Sequence, residues 1–305
     1  MDTLVIWMAG GSMFTLAVGA SWVLGWANRK FHVEVDPRID AINAALPGAN
    51  CGGCGYVGCA SYAEAVVIHG APVDKCPVGG SACAAALAGI MGVEVQQSWP
   101  RRPVVHCRAR YDQRLQRGDY RGEKTCAAAN LVNGVQGCTY GCMGFGDCAR
   151  ACAFDAIHTV DGLATVDYDK CVGCGACALV CPRNIISMVP FKKSRMIIVG
   201  CSNQDFGKEV KEVCTIGCIG CRACAKRSPM FSFEGHGVLP KINYDAYDPD
   251  QMDGTRLAIE KCPVKGLIFV GQPTPEDKEA VKDESLPTIV HADFKTTADD
   301  AEWQG

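Results

Sequence analysis

Cys171-Val-Gly-Cys174-Gly-Ala-Cys177-Ala-Leu-Val-Cys181-Pro182 decides how the rest of the chain is read. Three cysteines in seven residues, then a fourth followed by proline, give the spacing C-x2-C-x2-C-x3-C-P. That spacing suits [4Fe–4S] clusters: three thiolates bind one cube and the fourth reaches a neighbouring cube. The proline turns the chain away without needing an N–H. The chemistry implied is electron transfer.

Upstream stands Cys138-x3-Cys142-x5-Cys148-x3-Cys152. Between the two cysteine runs, Ile157–Val160 and Leu163–Val166 flank Asp161-Gly162, a strong hairpin pair. Ahead of them Arg102-Pro-Val-Val-His-Cys107 reads as an apolar strand ending in cysteine. The pattern then recurs. Arg195-Met-Ile-Ile-Val-Gly-Cys201 precedes Cys214-x3-Cys218-x5-Cys224-x3-Ser228, in the same register, and Met230–Phe233 and Val238–Ile242 read as a second hairpin. The repeat predicts two ferredoxin-like modules in tandem.

In a two-cluster ferredoxin the last cysteine of each motif ligates the other cube. One cube of the first module then takes Cys138, Cys142, Cys148 and Cys181, and its neighbour takes Cys152, Cys171, Cys174 and Cys177. The first motif departs from C-x2-C-x2-C, since Phe145 occupies the middle position. In the second module Cys218-Ile-Gly-Cys221-Arg-Ala-Cys224 restores the triplet, but its fourth position is Ser228 and the later half keeps only Cys262-Pro263. These two losses match: Ser228 would have served the missing cube, and Cys262 would serve the surviving one. The set is Cys218, Cys221, Cys224 and Cys262, with Cys214 a spare or an alternative to Cys221.

Nearer the N-terminus, Asp36 and Pro37 suit the N-cap and first turn of a short helix. Cys51-Gly-Gly-Cys54-Gly-Tyr-Val-Gly-Cys59 and Cys76-Pro77 follow. Helices are expected over Ser61–His69 and Ser81–Gly92, with Cys83 in the core. Cys51, Cys54, Cys59 and Cys76 complete a fourth set, so about four cubes occupy sixteen cysteines. Cys83, Cys107, Cys126, Cys201 and Cys214 remain, read as small buried residues, with Cys107 and Cys126 open to an additional metal site.

Thr3 to Asn28 contains no charged residue, and Arg29-Lys30 follows at once. Twenty-six residues at about 1.5 Å each exceed a hydrocarbon core of about 30 Å. Trp7, Trp22 and Trp26 suit its interfaces, and the positive-inside rule puts the following body in the cytoplasm. A cleaved signal peptide would want a basic region before a shorter apolar run. The small residues Gly10, Gly11, Ala17, Gly19 and Ala20 would let another helix pack closely.

Composition narrows the alternatives. The chain has 305 residues, 21 of them cysteine and 34 glycine, and a net charge of −3. A secreted disulfide scaffold has no need of cysteine triplets, and zinc prefers separated C-x2-C pairs. From Arg101 to Lys124 there are eight basic and three acidic residues, a candidate docking face for an acidic partner; the stretch after Gln272 is acidic. Nothing resembles a nucleic-acid-binding module. No G-x-G-x-x-G follows a strand, and the histidines are scattered, so no dinucleotide fold or acid–base centre is expected.

The anchor with Arg29-Lys30, the Cys51 to Gly80 pattern, Gly137-Cys138-Thr-Tyr-Gly-Cys142-Met-Gly-Phe-Gly-Asp-Cys148 and Cys171 to Pro182 resemble the RnfB family, the B subunits of Rnf complexes. The resemblance covers roughly residues 1–270 and leaves the acidic tail outside. It implies an electron-transfer subunit of an ion-translocating ferredoxin:NAD oxidoreductase, without a complete active site of its own. Its partners would be other Rnf subunits, soluble ferredoxin and the inner membrane, with electrons coupled to Na⁺ or H⁺ transport. The degenerate second module leaves open which module receives electrons first. A soluble multi-cluster subunit of another iron–sulfur oxidoreductase is the alternative.

The expected class is thus α+β. A single transmembrane helix (1–30) precedes a small helical [4Fe–4S] domain (31–98). A two-cluster ferredoxin-like module (99–192), a degenerate one-cluster module (193–271) and an acidic tail (272–305) follow.

Overall fold

The computed structural model describes residues 3–31, 36–95, 99–115, 118, 120–235, 237–247 and 252–272. The acidic tail from 273 onward therefore lies outside the described residues. Helix α1 runs Thr3–Lys30 and ends on Arg29 and Lys30. The side chains at 3–6 and 9 also lie outside. Among the described residues, no helix is long and apolar enough to cross a membrane.

Helix α2 (Pro37–Ala45) starts as its sequence dictates: the Asp36 carboxylate accepts from the Arg38 amide at 2.9 Å, and proline needs no N–H in the first turn. Helix α3 (Cys59–His69) and α4 (Gly80–Met91) each stop at a left-handed glycine, Gly70 at φ 62° and Gly92 at φ 68°. The three helices close around Ile42, Tyr62, Val66, Cys83 and Leu87. Full burial of an aliphatic side chain contributes about 1.5–3 kcal/mol, so this handful makes a thin core for a domain of about 60 residues. The Tyr62 hydroxyl donates to the Pro72 carbonyl at 2.7 Å and accepts from the Lys75 amide at 3.2 Å, which fixes the loop entering Cys76.

Strand β1 (Arg101–Val105) leads into the first module, followed by α5 (Cys126–Asn130), α6 (Asp147–Arg150), β2 (Ile157–Val160), β3 (Leu163–Val166), α7 (Ala176–Leu179) and β4 (Ile186–Pro190). The hairpin β2–β3 pairs Val160 with Leu163 across Asp161 and Gly162, at φ 47° and 72°. The outer strands β1 and β4 pair antiparallel. The second module repeats this plan. It comprises β5 (Arg195–Val199), α8 (Lys208–Val213), β6 (Phe231–Ser232), β7 (Lys241–Ile242), α9 (Asp253–Glu260) and β8 (Leu267–Gly271), with β5–β8 outside and β6–β7 inside. Its inner hairpin is shorter than the sequence suggests, because Pro240 has no N–H and the ladder begins only after it.

Val104, Val189 and Phe191 of the first module join Met196, Ile197, Ile198, Val199 and Leu267 of the second in a single core. His106 ties the two outer sheets together. Its Nδ1 lies 2.9 Å from the Val199 carbonyl, which can only accept, and its Nε2 lies 2.6 Å from the Ser187 hydroxyl. Burial pushes its pKa down, so the ring is a neutral structural link.

The basic stretch does not form one face. Arg114 is buried and Arg102 and Arg108 are half-buried, while Arg101, Arg110, Arg121 and Lys124 are exposed. Arg117 lies outside the described residues. Arg114 points inward, donating to the carbonyls of Cys142 and Gly162.

Candidate iron–sulfur sites

Among the described residues, four cavities are each lined by four cysteines. Cys152, Cys171, Cys174 and Cys177 line one of about 320 Å³. Cys218, Cys221, Cys224 and Cys262 line another of about 420 Å³. Both sets are the ones the crossing rule selects from the sequence, and Cys221 rather than Cys214 sits with Cys218 and Cys224.

The third cavity, of about 350 Å³, corrects the expectation from spacing: Cys142, Cys148 and Cys181 are joined by Cys126, not Cys138. The backbone register of the motifs explains why. Gly144 and Gly146, Gly173 and Gly175, and Gly220 and Arg222 occupy matching left-handed positions. In this frame Phe145 takes the place of Cys174 and Cys221, so the middle position offers no thiol. Cys126, at the start of α5, lines the cavity in its stead. Asp147 at the start of α6 holds it there: its two carboxylate oxygens accept from the amides of Cys126 and Ala127, both at 3.0 Å. Arg222 adopts φ 57° where the other motifs have glycine, a cost of about 1 kcal/mol for a residue with a Cβ. The fourth cavity, of about 390 Å³, holds Cys138 with Cys107, Cys201 and Cys214.

Remote cysteines share a local geometry. Three residues after Cys152, Cys181 and Cys262 come Asp155, Asn184 and Lys265, all left-handed, at φ 49°, 51° and 49°. The next amide then turns back on the sulfur: Ala156 donates to Cys152 Sγ at 3.3 Å and Gly266 to Cys262 Sγ at 3.2 Å. Cys262 is therefore the structural counterpart of Cys181: each precedes a proline and stands five residues before the last strand of its module, despite the lost triplet. Ser228 lies in the core, 3.0 Å from the Thr255 hydroxyl, and Gly254 of α9 backs onto Arg227 and Ser228. Helix α9 thus covers the serine. Cys262→Ser is expected to remove one cube and Ser228→Cys to add none; iron analysis of the two variants checks this, and extra iron in Ser228→Cys would refute it.

In the N-terminal domain Cys54, Cys59 and Cys76 pack against the core around Tyr62, and the Gly79 amide donates to Cys76 Sγ at 3.4 Å. A Cβ on Gly53 would stand 2.9 Å from the Cys174 carbonyl, so this loop lies directly against the first module. Burial pushes the Cys174 thiol up, and the nearby Cys51 thiol adds to the shift. Cys83 is buried on α4, as expected of a core residue.

The donor set fits cubes. Burial pushes Cys142 and Cys177 up to about 12, and Cys224 to about 11; ligation to a cation removes those protons, so metal binding is linked to pH. Among the described residues no three of His, Cys, Asp and Glu come close enough to hold a single ion. Thiolates around a cube stand farther apart, because iron and sulfide fill the middle. Buried guanidinium nitrogens without partners, Arg102 Nη1, Arg108 Nε and Arg114 Nε, supply cations beside the cysteines. Burial raises the Cys171 thiol and Arg102 opposes that rise.

Cysteine-lined cavities on a repeated ferredoxin-like plan define a multi-cluster iron–sulfur electron-transfer protein. Comparison with known proteins agrees. A 4Fe-4S binding domain family matches residues 164–187, and the FeS family, described as an Fe-S cluster, matches residues 46–78. The B subunit of the Na(+)-translocating ferredoxin:NAD(+) oxidoreductase complex of Acetobacterium woodii is 40% identical over 256 residues, covering 82% of this chain and 75% of that protein. The B subunit of the ion-translocating oxidoreductase complex of Methanosarcina acetivorans is 38% identical, covering 82% of this chain and 92% of its own length. The proton-translocating counterpart of Clostridium ljungdahlii is 35% identical, covering 72% and 76%. The chain belongs to the RnfB family, the B subunits of Rnf-type ion-translocating ferredoxin:NAD oxidoreductases. It is an electron-transfer subunit carrying multiple [4Fe–4S] clusters.

Proposed function

We propose that this subunit accepts electrons from soluble ferredoxin and passes them to other Rnf subunits through cubes held by named cysteine sets. These sets are Cys51, Cys54, Cys59 and Cys76; Cys152, Cys171, Cys174 and Cys177; Cys126, Cys142, Cys148 and Cys181; and Cys218, Cys221, Cys224 and Cys262. The carrying observation is the seating of four cysteines in each of the three ferredoxin-module cavities. A bound cube supplies reversible one-electron chemistry with no atom transfer. The chain's own groups set its environment: amides donate to Cys76, Cys152 and Cys262, and Arg102 and Arg114 offset negative charge. The proposed domain limits are 1–30, 31–98, 99–192, 193–271 and 272–305.

The electron entry we favour is the second module. Cys221 is the exposed cysteine of the chain. Arg222, Lys226 and Arg227 are exposed around it, a cationic surface suited to an acidic ferredoxin. Lys226→Glu with Arg227→Glu is expected to slow reduction by ferredoxin severalfold at low salt, with the difference shrinking as salt rises. Stopped-flow reduction at two ionic strengths checks this; an unchanged rate and salt dependence would defeat the docking surface.

Helix α1 is the proposed membrane anchor, with the body on the cytoplasmic side. Its 28 residues reach about 42 Å. Trp7, Met8, Met13, Phe14, Leu16, Trp22 and Leu24 are all exposed, an apolar surface that lipid or another subunit would cover. Coupling of the electron flow to Na⁺ or H⁺ transport belongs to the assembled complex.

A further inference from the structure

We propose that Cys107, Cys138, Cys201 and Cys214 hold a further [4Fe–4S] cube, at the junction of the two ferredoxin-like modules. The proposal rests on the reading that the other four-cysteine sets hold cubes, and extends it to cysteines outside any ferredoxin triplet.

The four thiols line one cavity of about 390 Å³, comparable with the cavities of about 320 and 420 Å³ lined by the triplet-based sets. Their positions are related by the repeat. Cys107 and Cys201 each lie two residues beyond an outer strand, β1 and β5. Cys138 and Cys214 each lie four residues before the first cysteine of a motif, Cys142 and Cys218. Each module therefore contributes the same two positions. Neither module alone has enough ligands for a cube, and the pair has four. Backbone pairing brings the halves together: the Leu115 amide donates to the Val213 carbonyl at 2.9 Å, and the Thr215 amide to the Gln113 carbonyl at 2.9 Å.

The lining is equipped for a buried anion. A cube with four thiolates is negatively charged overall, and such a charge needs donors and cations when buried. Arg108 and Arg114 both line the cavity, each with a buried Nε that has no partner in the protein. Asn203, 2% exposed, reaches Cys138 Sγ with its Nδ2 at 3.5 Å. The Cys218 amide donates to Cys201 Sγ at 3.3 Å.

Glycine lies beside the cavity at matching positions. A Cβ on Gly141 would lie 3.4 Å from Cys138 Sγ and 3.6 Å from Cys107 Sγ. A Cβ on Gly217 would lie 2.4 Å from Val210 Cγ1 and 3.7 Å from Cys214 Sγ. These glycines immediately precede Cys142 and Cys218, which belong to the neighbouring cavities on either side. The added cube would thus stand between the clusters of the two modules. One electron passing along the chain would oxidise the donor cube and reduce the next, with no proton or bond changed.

Native mass spectrometry of the full chain, loaded anaerobically in detergent, tests the proposal. About 20 iron atoms are expected where four sets alone would give about 16. A count of about 16 overturns the added site while leaving the other sets standing; a chain that takes up almost no iron overturns the wider reading. The count on the unaltered chain requires no variant. Cys107→Ser with Cys214→Ser then localises the loss: about four iron atoms should disappear, along with one reducible paramagnetic species. A double variant that keeps about 20 iron atoms, or a wild-type site that carries zinc, refutes the assignment.

Discussion

Cys126→Ser is expected to remove the cube bound with Cys142, Cys148 and Cys181, a loss of about four iron atoms per chain. No cysteine can take over its role. Phe145 occupies the middle motif position, and Cys138 lines a different cavity. The loss also leaves thiols whose burial holds them protonated, Cys142 at about 12, with no cube to pack against. Lost packing there should lower the thermal midpoint as well. Paramagnetic resonance and iron content of the variant check the outcome, and Phe145→Cys in the same background offers a rescue at the position the other motifs use. Full iron and unchanged spectra in Cys126→Ser would sink the assignment of this residue.

Deleting residues 1–30 is expected to shift the chain, expressed without other subunits, from the membrane pellet to the supernatant while leaving its clusters loaded. The run Thr3–Asn28 has no charged residue. Each central Leu, Ile, Val or Phe favours insertion by about 0.3–0.6 kcal/mol, which is the motive for the proposed anchor. The helical [4Fe–4S] domain has its own core around Tyr62, Ile42 and Leu87 and does not depend on α1. A reporter joined after Lys30 that is active only in the cytoplasm should be active. A truncated chain that still sediments with membranes, or a reporter active only outside, would reject the anchor.

The electrostatic prediction for ferredoxin changes once the fold is known. Along the sequence Arg114 looks like one cation of a basic stretch. In the structure it is buried and its guanidinium serves backbone carbonyls at the cysteine cavities. Reversing its charge would test folding rather than docking. The cations around exposed Cys221 are the informative ones, because a long-range field acts from the surface.

Local rules carried much of this protein. Triplet spacing, the Asp161-Gly162 turn, the Asp36 cap, the glycine helix stops and the strand–motif–hairpin repeat are all short-range, so each is readable from neighbouring residues. The grouping of Cys262 with Cys218, Cys221 and Cys224 around one cavity was also expected from the sequence, because one spacing rule connects them. Which isolated cysteine joins which set was not. Cys126 stands sixteen residues before Cys142, and Asp147, accepting from the amides at the start of α5, ties it to the motif that carries Cys148. The meeting of Cys107 and Cys138 with Cys201 and Cys214 likewise depends on two modules packing through one core. Sequence by itself determined the repeated ferredoxin-like units and their regular triplets, since spacing within a turn or two of chain governs those. Tertiary structure alone decided the partners of the unpaired thiols, since distance through space between them is set by packing and not by their separation along the chain.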